Sequence, residues 1–245
     1  MNTTALRALA ALAATAILQL GAGLRPAHAD EAECGSLRNA YGPFDYRSED
    51  NRKNKIPIVE GAHFQPEVEA LQLGGPIYFT PYDLIGGLDY TLRAIPNHHR
   101  ALASLARYAL RGWKTEPFRT PECYFDRAIR FQPEDGDVRL IFGSYLHRKK
   151  NYKAAEEQYA AARELMPDSV ELSYNLGLLY VDTGELSKAK TEAIRAYALG
   201  YPLPGLKDKL KRARSWTEAD EEAVVQFRKA ATETASAQSP PPTAH

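Results

Sequence analysis

The chain has 245 residues with 31 basic and 31 acidic side chains, a formal net charge of zero. That balance excludes nonspecific nucleic-acid binding, which rests on a strong positive excess. The two cysteines, Cys34 and Cys123, are too few and too far apart in sequence to bind a metal by themselves.

Residues 1–29 carry the marks of a secretory signal. Arg7 supplies a positive start, 8–20 form an apolar helix-favouring run, and Ala27-His28-Ala29 has the small-x-small cleavage pattern. The apolar run is shorter than the about 20 residues of a membrane span. An uncleaved N-terminal anchor is the alternative. A lipid-attached Cys34 does not fit, since Glu31-Ala32-Glu33 precede it. Cleavage near Ala29 removes Arg7 and Arg25 and no acid, which takes the net charge to −2. No second long apolar run follows, so no membrane insertion is expected after cleavage. An exported chain meets an oxidising compartment, where Cys34 and Cys123 are expected to bridge. Closing such a loop is worth about 4–5 kcal/mol at most in the chain-entropy picture. Two separate buried thiols are the alternative.

Residues 30–80 are punctuated by Gly35, Gly42, Pro43, Pro57, Gly61, Pro66, Gly74, Gly75 and Pro76, which breaks any helical period. Tyr41, Phe44, Tyr46, Ile56, Ile58, Val59, Phe64, Ile77, Tyr78 and Phe79 make the segment too apolar for a disordered linker. It is expected to pack as an irregular cap, with 48–55 (SEDNRKNK) as a mobile polar loop and one short helix over 66–73 opened by Pro66.

Helical periodicity then sets in. Leu84, Leu88, Leu92 and Ile95 mark a helix over 82–95. Leu102, Leu105, Ala106 and Ala109 mark another over 98–111, stopped by Gly112. Pro121 opens the next, with Phe125, Ala128 and Ile129 facing inward. Two pairs follow, over 136–150 with 152–166 and over 170–183 with 186–199. A basic closing helix is expected in LKDKLKRA (206–213), and a last helix over 218–231 behind a Thr217–Asp220 capping box. From Thr232 the tail is polar and proline-rich and is expected to be disordered.

Several residues recur at an offset of 34: Pro133 and Pro167, Gly143 and Gly177, Ala155 and Ala189, Ala162 and Ala196, with Phe142 matching Leu176. That period with those residue types resembles the tetratricopeptide repeat, a helix–turn–helix unit of about 34 residues. The resemblance implies an all-α solenoid of about three and a half repeats over 81–203, closed by helices over 204–231. The words CGSLRNAYGPFDYR (34–47) and GLDYTLRAIPNHHRAL (87–102) are similar to exported, repeat-containing proteins of Gram-negative bacteria. They imply kinship and a periplasmic location and supply no activity.

Repeat arrays of this type bind extended peptides along the face lined by the first helix of each pair. Transferred here, that face carries Arg100, Arg107 and Arg111, then Asp137, Leu140, Ser144, His147 and Arg148, then Glu171, Tyr174, Asn175, Leu178 and Asp182. The partner-binding expectation rests on Arg100, Arg107, Arg111, Ser144, His147, Arg148, Tyr174, Asn175 and Asp182. The arginines suit a carboxylate or another acidic group of a protein or peptide, because a planar guanidinium pairs with it bidentately. Two alternatives stay open: a solvated helix face, or a groove filled by segment 30–80 with Glu67 and Glu69 on these arginines. Arg107, Ser144 and Leu178 stand where a carboxylate-clamp groove would use asparagine, which argues against that variety.

No H-E-x-x-H, G-x-S-x-G, phosphate-cradling glycine loop or C-x-x-C occurs. The expectation is therefore a non-enzymatic scaffold with no cofactor and no metal. The competing reading is a small-ligand or metal site where 30–80 meets the repeats, uniting Asp45, Glu60, His63 and a repeat arginine. Adjacent His98 and His99 point about 100° apart on a helix and do not jointly grip one ion.

Overall fold

The computed structural model describes residues 34–74 and 80–238. The expected signal at 1–29 and the last seven residues of the expected tail, 239–245, lie outside the described residues. So does 75–79. The fold is all-helical, with twelve helices and no strand among the described residues. No helix among them is long and apolar enough to cross a membrane.

Residues 34–47 form a non-helical strap. Behind it come α1 (Glu49–Asn54), α2 (Ile56–His63) and α3 (Pro66–Ala70). The expected mobile loop at 48–55 is thus mostly helix. Ser48 Oγ accepts from the Asn51 N–H at 3.4 Å, Glu49 pairs with Lys53 at 2.6 Å, and Asn51 Nδ2 donates to the Asp45 carbonyl at 3.0 Å. Acids in the first turn and bases in the last complement the helix dipole. Pro57, read as a break, sits in the first turn of α2, where proline costs no hydrogen bond. Ile56 and Val59 of α2 are buried with Ala94 and Ile95, and Tyr41, Phe44, Tyr46 and Tyr90 pack around them. The strap and α2 therefore share a small aromatic core.

The remaining helices are α4 (Pro81–Ala94), α5 (His99–Leu110), α6 (Pro121–Phe131), α7 (Gly136–Arg148), α8 (Tyr152–Leu165), α9 (Val170–Asp182), α10 (Leu186–Ala198), α11 (Gly205–Arg212) and α12 (Glu218–Gln238). α12 runs seven residues past the expected end at 231. The main core joins Phe64, Val68 and Leu71 of the N-terminal segment to apolar residues from α4 through α9. A second core at the other end gathers Ala189, Ala193, Ala196, Leu206, Leu210 and Trp216.

The offset of 34 is visible in the backbone. Asp135 and Ser169, 34 apart, both cap the helix that follows by accepting an N–H three residues on. Lys150 and Gly184, also 34 apart, both end a helix with positive φ, at 62° and 81°. Each donates its N–H to the carbonyl three residues back, and each next residue donates to the carbonyl five back. This is the two-bond helix ending that a left-handed residue makes. Ala155, Ala162, Ala189 and Ala196 are each 0 % exposed.

The glycine pair departs from simple repetition. A Cβ at Gly143 would come within 2.6 Å of the Tyr159 ring on the partner helix α8. The residue 34 after Tyr159 is Ala193, too small to reach Gly177. There the side chain of Leu206, from α11, fills the space instead.

Gly143→Ala is expected to cost about 1–3 kcal/mol, since an aromatic ring in a filled core cannot retreat. Gly61→Ala on α2, where a Cβ meets nothing within 4 Å, is expected to stabilise by about 0.4–1 kcal/mol. Lys150→Gly is expected to stabilise by up to about 1 kcal/mol by relieving the left-handed backbone. Urea unfolding of the three variants against the parent measures all of these.

Candidate functional site

A dense group of polar side chains lies where the strap, α2 and α3 meet the turn between α4 and α5. Asn97, in that turn, is 0 % exposed. Its Oδ1 accepts the Tyr46 N–H at 3.0 Å, and its Nδ2 donates to Asp45 Oδ1 at 2.7 Å and Asp135 Oδ2 at 2.8 Å. One amide thus joins the strap, the turn and the N-cap of α7. His99 Nε2 adds a contact to Asp135 Oδ2 at 2.9 Å, and the Arg47 Nε lies 3.5 Å from the same oxygen. The Tyr46 ring packs against both imidazoles, with centroids 4.3 Å from His98 and 5.0 Å from His99.

His98 is the N-cap of α5 and is 0 % exposed. Its Nδ1 accepts the Ala101 N–H at 3.2 Å, which leaves the proton on Nε2, facing Glu60 Oε1 at 2.9 Å. A protonated Nδ1 would turn a donor toward that donor. Burial pushes the His98 pKa down, and Glu60 only partly opposes this. Glu60 stays below the usual carboxylate range through the hydrogen bond from His98 and the charge of Arg100. Burial works to raise Asp45 and Asp135. The Asn97 amide with Arg47 overcomes it for Asp45, and His99 with Asn97 and Arg47 overcomes it for Asp135, so both end lowered.

Arg100 and Arg107 of α5, and Arg111 just past its end, reach the segment around α3. Arg100 pairs with Glu69 through Nη2 and donates Nε to Glu69 Oε1 at 2.8 Å, with Glu60 3.2 Å from Nη1. Arg107 donates to the Glu69 carbonyl at 2.6 Å and Arg111 to the Leu71 carbonyl at 2.8 Å. Glu69 is the acid that meets this stripe; Glu67 has no place in these contacts. Phe64, Val68 and Leu71 anchor the segment, each no more than 3 % exposed. Burying three such side chains contributes about 5–8 kcal/mol, so the segment is a built-in part of the fold. Arg100, Arg107 and Arg111 thus each meet residues 60–71 of the chain itself, and all three stay exposed.

The other expected residues lie further along. His147 Nε2 meets Asp182 Oδ2 at 3.0 Å, and Lys209 of α11 meets Asp182 Oδ1 at 2.7 Å. Tyr174 is buried and stacks on Tyr201 with centroids 4.1 Å apart. Asn175 Nδ2 donates to the Glu171 carbonyl at 2.8 Å, within its own helix. Ser144 is half-buried and Arg148 exposed.

The quartet Asp45, Glu60, His63 and arginine forms only in part. Glu60 reaches Arg100, and Asp45 reaches Asn97. His63 turns away to stack on Tyr90 at 3.7 Å, and His98 takes its place beside Glu60. Ligand atoms of His99, Asp135 and Asp137 lie within 4.8 Å of one another. Asp135 already accepts from His99, Asn97 and the Val138 N–H, and the Arg47 guanidinium beside it opposes a cation. The set is a helix cap shared by three donors. Asn97 and Tyr46 escaped sequence reasoning. Asp135 was legible as a capping residue ahead of an apolar-periodic run.

The low His98 pKa fixes a sign. Near pH 6.5 the unfolded chain takes up a proton that the native state refuses until lower pH. The contribution is full above about 6.5 and is lost as pH falls below it, before the carboxylates protonate. Urea unfolding is expected to weaken from about pH 6.5 to 5, and His98→Asn, which keeps a capping acceptor, to flatten that slope. Asn97→Ala is expected to cost about 2–4 kcal/mol, because it strands two carboxylates and an N–H.

No family model matches the chain, and no curated protein and no solved structure is similar to it, so the helical array and its polar latch are identified by their geometry alone.

Proposed function

We propose that this chain is a non-enzymatic, exported scaffold of the tetratricopeptide type that holds a protein or peptide in a cell-envelope assembly, in the periplasm. Its repeats are the pairs α5–α6, α7–α8 and α9–α10, with α4 as a half-repeat, the strap and α1–α3 as one cap, and α11–α12 as the other. Support comes from caps and left-handed helix ends that recur at the 34-residue offset. The Cys34–Cys123 bridge and the lack of a membrane-crossing helix among the described residues fit a secreted chain.

One observation carries the reading. Residues 69–71 lie on the α5 arginines and offer them one carboxylate and two carbonyls. Those are the groups that any acidic peptide offers, and the chain supplies them to its own groove. The face continues onto α7 and α9, where Ser144, His147, Arg148, Asn175 and Asp182 stay half-buried or exposed. We assign the partner to that continuation.

The test is cross-linking capture from periplasmic extract, read by mass spectrometry, with the full-length chain and two sets of variants. Arg148→Glu combined with Asn175→Arg is expected to reduce the enriched partner at least about tenfold, the effect of losing a central contact. Arg107→Ala is expected to leave capture within about twofold, since Arg107 serves the internal segment. Equal capture by all variants refutes the assignment. A co-purifying small molecule with no enriched protein supports the small-ligand reading instead.

A further inference from the structure

The C-terminal ends of α7, α9 and α11 lie side by side. Asp182, the last residue of α9, ties the three together. His147 in the last turn of α7 meets its Oδ2 at 3.0 Å, and Lys209 in the last turn of α11 meets its Oδ1 at 2.7 Å. The face assigned to the partner runs along the sides of α7 and α9. The three helix ends make a separate edge beside it.

Cations crowd this edge. Arg148, Lys149 and Lys150 close α7, and Lys211, Arg212 and Arg214 close α11; all six are exposed. Among the described residues, Arg148, Lys149, Lys150, Arg212 and Arg214 have no carboxylate partner. The acids close by are already engaged. Asp182 is shared by His147 and Lys209, Glu185 pairs with Lys188 at 2.5 Å, and Glu221 pairs with Lys207 at 2.8 Å and accepts from Trp216 at 2.9 Å. Glu218 is the exposed acid that follows Arg214 in sequence, and it belongs to the first turn of α12, where the helix dipole favours it.

The dipole also favours bases in the last turn of a helix, but it does not require them beyond it. Lys150 and Arg214 are beyond it, in left-handed backbone, with φ of 62° and 53°. Each donates its N–H to the carbonyl three residues back, and the next residue donates to the carbonyl five back. Gly184 makes the same ending on α9, and glycine is the residue that fits it without strain. The two ends that flank Gly184 thus keep a long cation where glycine would be the easier choice.

The surroundings decide what these cations meet. No large apolar side chain is exposed within 147–153, 181–188 or 207–215. A protein interface is built round an apolar centre and is poor in lysine. A layer of lipid headgroups asks for neither, and a cluster of four to eight exposed bases is what such a layer attracts. The chain's formal net charge is zero, so attraction by the molecule as a whole is absent and a local patch has to supply it.

We propose that the edge formed by the ends of α7, α9 and α11 docks peripherally on an anionic phospholipid surface, through Lys149, Lys150, Arg212 and Arg214. Contact is electrostatic and nothing inserts. The groove beside the edge stays open while the molecule lies on the bilayer.

The full-length protein is sedimented with vesicles of phosphatidylcholine alone and of phosphatidylcholine with one quarter phosphatidylglycerol. Binding is expected with the anionic vesicles only, and is expected to vanish as salt rises from about 0.05 to 0.5 M, which shortens the range of surface charges severalfold. The variant Lys149→Gln, Lys150→Gly, Arg212→Gln, Arg214→Gly is expected to bind at least about tenfold more weakly. Its two glycines relieve left-handed backbone, so its helical circular dichroism is expected to equal the parent's. Lys53→Gln with Lys229→Gln, which removes exposed cations elsewhere, is expected to leave binding within about twofold. Wild-type binding to neither vesicle, or equally to both, overturns the proposal. Lys149→Gln with Arg212→Gln, which leaves the backbone untouched, guards against a folding defect: full binding by this pair overturns the assignment of the edge. Retention on dextran sulfate without vesicle binding makes the edge a polyanion site and overturns the lipid reading.

Discussion

The arrangement of the N-terminal half depends on one buried amide. Asn97 has an acceptor and two donor hydrogens, and all three are used, two on adjacent strap residues and one on the cap of α7. Removing the amide from water costs little only because each bond is made. The same three bonds fix the height of the strap, the turn into α5 and the start of α7. Around that point His98 and His99 each cap or brace a helix, Glu60 and Glu69 bring α2 and α3 against α5, and Tyr46 fills the space between the rings. Phe64, Val68 and Leu71 anchor the same segment in the main core beside this polar hub.

The helical array was legible in the sequence because its signals are local. Prolines in first turns, glycines past helix ends and a repeated pattern of small residues state where helices begin, stop and touch. The helices from α4 to α11 fall within about two residues of their expected bounds. Segment 48–63 was misread because Pro57 and the charged run at 49–54 look like breaks when counted by composition. Taken by position, Ser48 is a cap, Glu49 and Asp50 are a favourable first turn, and Pro57 is a first-turn proline.

The site was less legible, for a different reason. Arg100, Arg107 and Arg111 do share a helix face, as their spacing requires. What meets that face is decided by apolar residues 30 to 40 positions away, which carry no charge signal of their own. Glu60 and His63 are close in sequence, yet Glu60 reaches α5 while His63 turns to Tyr90. Asn97 bears no motif at all: its role arises from contacts spaced 38 to 52 residues apart. A polar hub of this kind is a property of the folded topology, not of any window of sequence.

The replacement of an aromatic by Ala193 in the last pair has a wider consequence. In α7–α8 the ring that fills the glycine notch comes from within the pair, from Tyr159. In α9–α10 the notch is filled by Leu206 from beyond the unit. The packing of α9 against α10 therefore depends on α11, and a change that shifts Leu206 opens a hole at Gly177.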